Sequence, residues 1–270
     1  MVVEVRFPEP APHAAIQEFA RRAGDFAIVA AAVSVDVTGV GGLQYVEGEG
    51  EGLRIGALTP HRWVELMEDP EVLEDFGVLK RAARWVGHYP IRTRGTFGGS
   101  IAHADPSAEW CMLAVLLDAE IVVLGPGGER VIPASEFFYG FFMTALEPTE
   151  MVVEVRFPEP APHAAIQEFA RRAGDFAIVA AAVSVDASKG KSRSASVVLG
   201  GVADVPLRVE EAEKVLEGAE LGAEAFEEAG REAARAIDPA SDIHGSAVYR
   251  RDLASVLVKR ALAEATGVVG

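Results

Sequence analysis

A chain of 270 residues is long enough for about two domains at roughly 150 residues each, and with half of its residues apolar and 24% charged it can bury a real core. Lys and Arg total 25 against 41 Asp and Glu, a formal charge of −16, so the surface repels phosphate backbones and argues against nucleic acid or an anionic membrane as a partner. The single cysteine, Cys111, excludes an internal disulfide and any zinc or iron–sulfur site built from several thiolates of this chain.

MVVEVRFPEP lacks the basic start and apolar core of a secretion signal. The longest nearly apolar stretch, Phe26 to Val35, is about half of what a membrane span needs. A cytoplasmic protein is expected. Residues 1–36 return letter for letter at 151–186, and the match stops where Val37 faces Ala187. Solenoid repeats drift at their surface positions and come in larger numbers; two perfect copies with unrelated sequence between them point instead to a recent copying event or an assembly error. The second copy runs on into a strand pattern, whereas the first runs into Val37-Thr38-Gly39-Val40-Gly41-Gly42. The copy at home is therefore 151–186, and 1–36 is the intruder, a segment of uncertain fold.

In chain order, Leu53 to Leu58 reads as a strand and Arg62 to Met67 as a helix. Phe76, Leu79, Ala83 and Val86 form one helical face that stops at Gly87. Ile91 to Asp105 reads as a loop. Asp105-Pro106 reads as the N-cap and first position of a helix running to about Leu117, with Cys111 a buried small hydrophobe and Trp85 and Trp110 as core. Glu120 to Leu124 and Arg130 to Ile132 pair across the turn Gly125-Pro126-Gly127-Gly128. Val153, Val155 and Phe157 alternate with Glu154 and Arg156 as a half-buried strand, and Pro158, Pro160 and Pro162 make a connector. Strands over Phe176–Val185 and Ala195–Val202 follow, then helices over 210–216 and 223–237 and a final helix around Tyr249 to Leu257. The strict alternation of a doubly wound sheet is missing, so the class is α+β.

The chemistry concentrates in RTRGTFGGSIAHAD, residues 92–105. Gly95, Gly98 and Gly99 let backbone N–H groups approach a ligand closely and adopt positive φ, where successive N–H groups form an anion-binding nest; the alternative on spacing alone is a tight turn packed under a helix. Thr96 and Ser100 add hydroxyls, and Arg92 and Arg94 add positive charge in an acidic chain. His103 and Asp105 are two candidate metal ligands without a third, so no metal site is assigned.

This stretch resembles the second flavin-binding loop of the FAD (medium) subunits of the molybdenum hydroxylases, the aerobic carbon monoxide dehydrogenase and xanthine dehydrogenase group. GLRIGALTPH (52–61), GPGGERVIPASEFF (125–138), RRAGDFAIV (171–179) and SDIHGSAVYRRDLA (241–254) resemble the same family in the same order, so the likeness covers 37–270. It implies a two-lobed FAD-binding domain at 37–155, its N-terminal lobe replaced or incomplete. A smaller C-terminal domain of antiparallel sheet and helices would occupy 156–270. It implies FAD as cofactor, with Thr96, Phe97, Gly98, Gly99 and Ser100 lining the flavin and pyrophosphate, Glu109 and Asp105 as acidic residues near it, and Val152 packed against the ring. No residue of the chain is expected to act as a catalytic acid, base or nucleophile, or to hold a metal. The implied partners are a molybdenum-containing large subunit and an iron–sulfur small subunit, between which and an acceptor the flavin would carry electrons.

The family's first glycine-rich loop, of the type Ala-Gly-Gly-x-Ser, is missing before Thr38. Arg22-Ala23-Gly24-Asp25-Phe26 has one glycine and an acidic residue, and Gly39-Val40-Gly41-Gly42 stands in a different context. Some relatives place a lysine near the flavin where this chain has Gln167 or Glu168. The alternative reading is therefore a flavin-free remnant with a docking or structural role. Charge-assisted hydrogen bonds contribute about 1.5–3 kcal/mol each, so losing one of two pyrophosphate cradles weakens FAD by several powers of ten. The chain as purified is expected to carry little flavin, and a 1:1 flavin absorbance in a fresh preparation contradicts this.

Overall fold

The computed structural model describes Val37 and residues 39–268 in full and, before them, the backbone of 14–19 and 29–34. It divides between Gly41 and Gly42 into two compact bodies. The first holds an antiparallel pair, β1 (Ala14–Phe19) and β2 (Val29–Ser34). Its register, Gln17 opposite Ala31, Glu18 opposite Ala30 and Phe19 opposite Val29, matches that of the second copy, where Gln167, Glu168 and Phe169 face Ala181, Ala180 and Val179. The copied letters carry their own pairing instruction. Arg22 to Phe26 lies outside the described residues.

The second body is built on two antiparallel sheets. Strands β3 (Val46–Glu49) and β4 (Gly52–Gly56) lead into three helices, α1 (His61–Glu65), α2 (Pro70–Ala82) and α3 (Tyr89–Arg94). Then come α4 (Phe97–His103), α5 (Glu109–Leu116), β5 (Glu120–Gly125), β6 (Gly128–Pro133), α6 (Ala134–Phe137) and the short pair β7 (Phe138–Gly140) and β8 (Met143–Thr144). The second copy supplies β9 (Met151–Phe157), β10 (Ala164–Phe169) and most of β11 (Val179–Ser188). β12 (Lys191–Gly200), β13 (Leu207–Arg208), α7 (Glu210–Leu216), α8 (Ala223–Ala236) and α9 (Ala247–Thr266) complete it. The orders are β3-β4-β9-β5-β6 and β10-β11-β12-β13. Residues 151–186 thus bridge both sheets, with β9 at the centre of the first, between β4 and β5, and β10–β11 forming one side of the second. The mixed helix and antiparallel-sheet class is as the sequence indicates.

Local rules account for most boundaries. Asp69 caps α2, its Oδ1 accepting from the N–H groups of Glu71 and Val72, with Pro70 at the first position. Lys189 and Gly190, both at positive φ, turn β11 back into β12, the two-residue geometry that suits the twist of paired strands. Ser246 caps α9 and Gly267, at φ +68°, ends it. Leu53, Ile55, Val155 and Phe157 face the core from β4 and β9. α5, which meets α2, α4, β11 and β12, is buried from Glu109 to Leu116. Trp110 belongs to this core, but Trp85, expected there too, is 42% exposed beyond the end of α2. Phe97 is fully buried with its ring 4.6 Å from Trp110 and edge-on to Phe157 at 6.1 Å. Phe97→Ala should therefore cost about 3–5 kcal/mol, read as a lowered urea midpoint at unchanged slope.

Candidate functional site

The stretch expected as a loop folds into two short helices. Pro90 starts α3, and Gly95, at φ −65°, separates it from α4. Thr96 caps α4, its Oγ1 accepting from the Gly99 N–H at 3.1 Å. None of Gly95, Gly98 and Gly99 has positive φ. Their missing side chains serve close approach instead. A Cβ on Gly98 would stand 2.4 Å from the Ala57 Cβ, and one on Gly95 would stand 2.8 Å from the His61 Nε2. A Cβ on Gly99 would meet the Thr96 side chain alone, at 2.8 Å, so α4 presents its bare outer face there.

The anion nest is also absent, because its donors are spent. The Phe97 N–H donates to the Thr59 carbonyl and the Gly98 N–H to the Ala57 carbonyl, both at 2.9 Å. The Ser100 N–H donates to the Thr96 carbonyl at 3.1 Å. Arg92 is likewise committed, to Glu65 and to the Val86 and Gly87 carbonyls, which leaves Arg94 exposed and without a carboxylate partner among the described residues. What α4 offers a ligand is two hydroxyls, Thr96 and Ser100, flanking Gly99. Phe97 and Gly98 face inward, and Val152 sits 5% exposed in the sheet core opposite Val123.

The segment that follows α4 is acidic. Asp105 accepts from the Ser107 N–H at 2.8 Å and its carbonyl accepts from Ala108, so it closes a turn; α5 begins only at Glu109, with Ala108 as its N-cap. Burial, helped by the Asp105 charge, pushes the Glu109 carboxyl up to about 7. Burial beside Glu109 holds Glu168 well above the carboxylate range, and its Oε1 is buried without a hydrogen-bond partner. Burial and then Arg92 lower His61 to about 4, so it is neutral and its Nδ1 accepts from the Trp110 Nε1–H at 2.9 Å.

Asp105 and Ser107 also stand at the edge of a cavity of about 1050 Å³, closed on its other sides by the 171–178 segment, the 201–207 turn and the 236–244 segment. The 241–254 motif shapes it. Asp242 accepts from the N–H groups of His244 and Gly245 and pairs with Arg250 at 2.7 Å, and Arg250 binds the carbonyls of Ile178 and Gly201. Sequence reasoning did not find this cavity, whose walls come from segments more than a hundred residues apart.

The family described as "FAD binding domain in molybdopterin dehydrogenase" matches residues 22–160, and "CO dehydrogenase flavoprotein C-terminal domain" matches 164–265. The 6-hydroxypseudooxynicotine dehydrogenase complex subunit alpha of Paenarthrobacter nicotinovorans is 38% identical over 86% of this chain and 78% of its own length. The carbon monoxide dehydrogenase medium chain of Afipia carboxidovorans is 35% identical over 86% of this chain and 80% of its own. A solved structure of the carbon monoxide dehydrogenase of Hydrogenophaga pseudoflava, lacking the Mo-pyranopterin moiety, superposes with a TM-score of 0.82 at 35% identity, over 87% of this chain and 82% of that one. The chain belongs to the FAD-binding medium subunits of the molybdenum hydroxylases, a family of oxidoreductase subunits.

The residues present fit one half of that cofactor. Gly99, open between the hydroxyls of Thr96 and Ser100, suits an uncharged ring and ribityl chain. A pyrophosphate would meet spent N–H groups and carboxyl groups, and its cradle is not among the described residues.

Glu109 titrates higher in the fold than in the unfolded chain, so from pH 4.5 to 7 the native state holds the extra proton and stability is lost as pH rises. Glu109→Gln should therefore gain on the wild type across that window by on the order of 1–3 kcal/mol, measured as the difference in urea unfolding free energy at pH 4.5 and 7.5. Gly98→Ala should cost about 1–3 kcal/mol, because Ala57 is held at the end of β4 by its N–H bond to the Val153 carbonyl.

Proposed function

We propose that this chain is the electron-transfer subunit of a molybdenum hydroxylase-type oxidoreductase, holding FAD against the outer face of α4. Bound FAD supplies the redox chemistry, taking electrons from an iron–sulfur partner subunit and delivering them to an acceptor. The observation that carries the reading is the outer face of α4, where exposed Gly99 stands between the half-buried hydroxyls of Thr96 and Ser100. Thr96 and Ser100 orient the ligand by hydrogen bonds, Gly99 allows close contact, and Glu109, half protonated near neutrality, can donate as well as accept. Asp105 adds a carboxylate close enough to Glu109 to raise it. Phe97, Gly98 and Val152 act from within, fixing the helix and the sheet that carry this face. The domain boundary divides 37–155 from 156–270 just before the Pro158–Pro162 connector, and the assembly is cytoplasmic; no helix among the described residues is long and apolar enough to cross a membrane. Partner subunits carrying molybdenum and iron–sulfur centres are part of the same reading.

A second reading, a flavin-free docking subunit, is favoured by one specific observation: the first-turn N–H groups of α4 all donate within the chain. Titration of the purified chain with FAD, followed by quenching of flavin fluorescence, separates the two. Saturable binding that weakens about tenfold or more in Ser100→Ala or Thr96→Val supports the electron-transfer role. No binding at excess FAD by a chain with an intact unfolding transition leaves the docking role.

A further inference from the structure

The copied segment leaves one strand half-paired. In its second position the run Val179 to Ser184 lies inside a sheet: β11 is hydrogen-bonded to β10 on one edge and to β12 on the other, and Val179, Ala180, Ala181, Ala182 and Val183 are fully buried. A short continuous apolar run suits a strand enclosed on both faces. The copying stops at Asp36, short of the residues that make β12 in the second position, and Val37-Thr38-Gly39-Val40-Gly41-Gly42 follows instead. β2 therefore repeats the letters of an internal strand without the strand that comes next. Among the described residues it pairs with β1 alone, in a sheet of two strands.

The two edges of that hairpin differ. β1 repeats β10, the outermost strand of its sheet, and carries Glu18; a charge on an edge strand discourages further pairing. β2 has no charge, proline or glycine from Val29 to Ser34, so its second edge carries none of the residues that guard an edge. A hairpin of two strands is marginal in water and gains stability from added strands. The strand that fits is extended, uncharged, of matching length and open on one edge. The β2 of a second molecule meets all of these conditions and is present at equal concentration. Across a two-fold axis perpendicular to the sheet, each β2 takes the place that β12 holds beside β11, with Val29, Ala31 and Val33 of both copies on one face. We propose that β2 is a self-association edge: two copies of this chain join β2 to β2, antiparallel, in a sheet of order β1-β2-β2-β1. The assembly closes at two because β1 lies outermost on either side. No flavin takes part, so the proposal stands or falls apart from the electron-transfer reading.

Sedimentation velocity of the full-length chain over a concentration series tests it. The wild type should show a monomer–dimer equilibrium without larger species. Ala31→Lys with Val33→Lys sets like charges near one another across the axis and should raise the dimer dissociation constant at least about tenfold, with the urea midpoint of the main unfolding transition unchanged. Glu18→Lys, on β1, should leave the dimer as tight as before. The lysine pair can also open the hairpin itself, so cross-linking gives an independent reading. Ala30→Cys, Ala31→Cys and Ala32→Cys are oxidised in turn, and at least one should yield a covalent dimer, whereas the wild type, its Cys111 fully buried, yields none. A wild type that sediments as a monomer throughout, a dimer that the lysine pair leaves intact, or cysteine variants that all stay uncoupled overturns the proposal. Oligomers that keep growing with concentration overturn the closed two-fold arrangement.

Discussion

The contact between α4 and the end of β4 governs the rest of the site. Gly98 lies where any side chain would collide with Ala57, so the helix can settle directly on the end of β4. That contact drives Phe97 between Trp110 and Phe157, aims Gly99 outward, and brings the N–H groups of Phe97 and Gly98 onto the carbonyls of Thr59 and Ala57. A buried donor must be satisfied, and the nearest carbonyls satisfy these two. The same event that anchors the helix therefore removes the donors a phosphate would have used.

Electrostatics follow from that arrangement. With its backbone donors spent and Arg92 tied to Glu65, the site is dominated by buried carboxyls, and burial rather than pairing sets their protonation. At the cavity lined by Asp105 and Ser107, Arg171 and Arg250 tie the 171–178 and 236–250 segments together through the carbonyls of Ile243 and Ile178.

The duplicated segment separates local from tertiary information. Thirty-six identical residues form the same antiparallel pair in the same register near the N-terminus and at 164–184. Alternation and the apolar run were enough to specify that pairing. The wider role of the second copy, with β9 central in one sheet and β10–β11 in the other, depends on partners that lie far away in the chain.

Much of the fold was legible in advance for similar reasons. The strands 120–124 and 130–132, the helices at 210–216 and 223–236, and the α+β class follow from periodicity and turn residues, which act within a few positions. The family was legible too, because its motifs are short and contiguous. What the sequence could not decide was the fate of individual groups: that a glycine-rich stretch is helical, that Gly98 serves packing while Gly99 faces out, that Phe97 and Val152 are core, that Trp85 is exposed, and that Asp105 closes a turn short of the helix. Each of these turns on which atoms from elsewhere in the chain arrive within a few ångströms. Burial and hydrogen-bond satisfaction are set by those arrivals, whereas local patterning sets only which elements arrive.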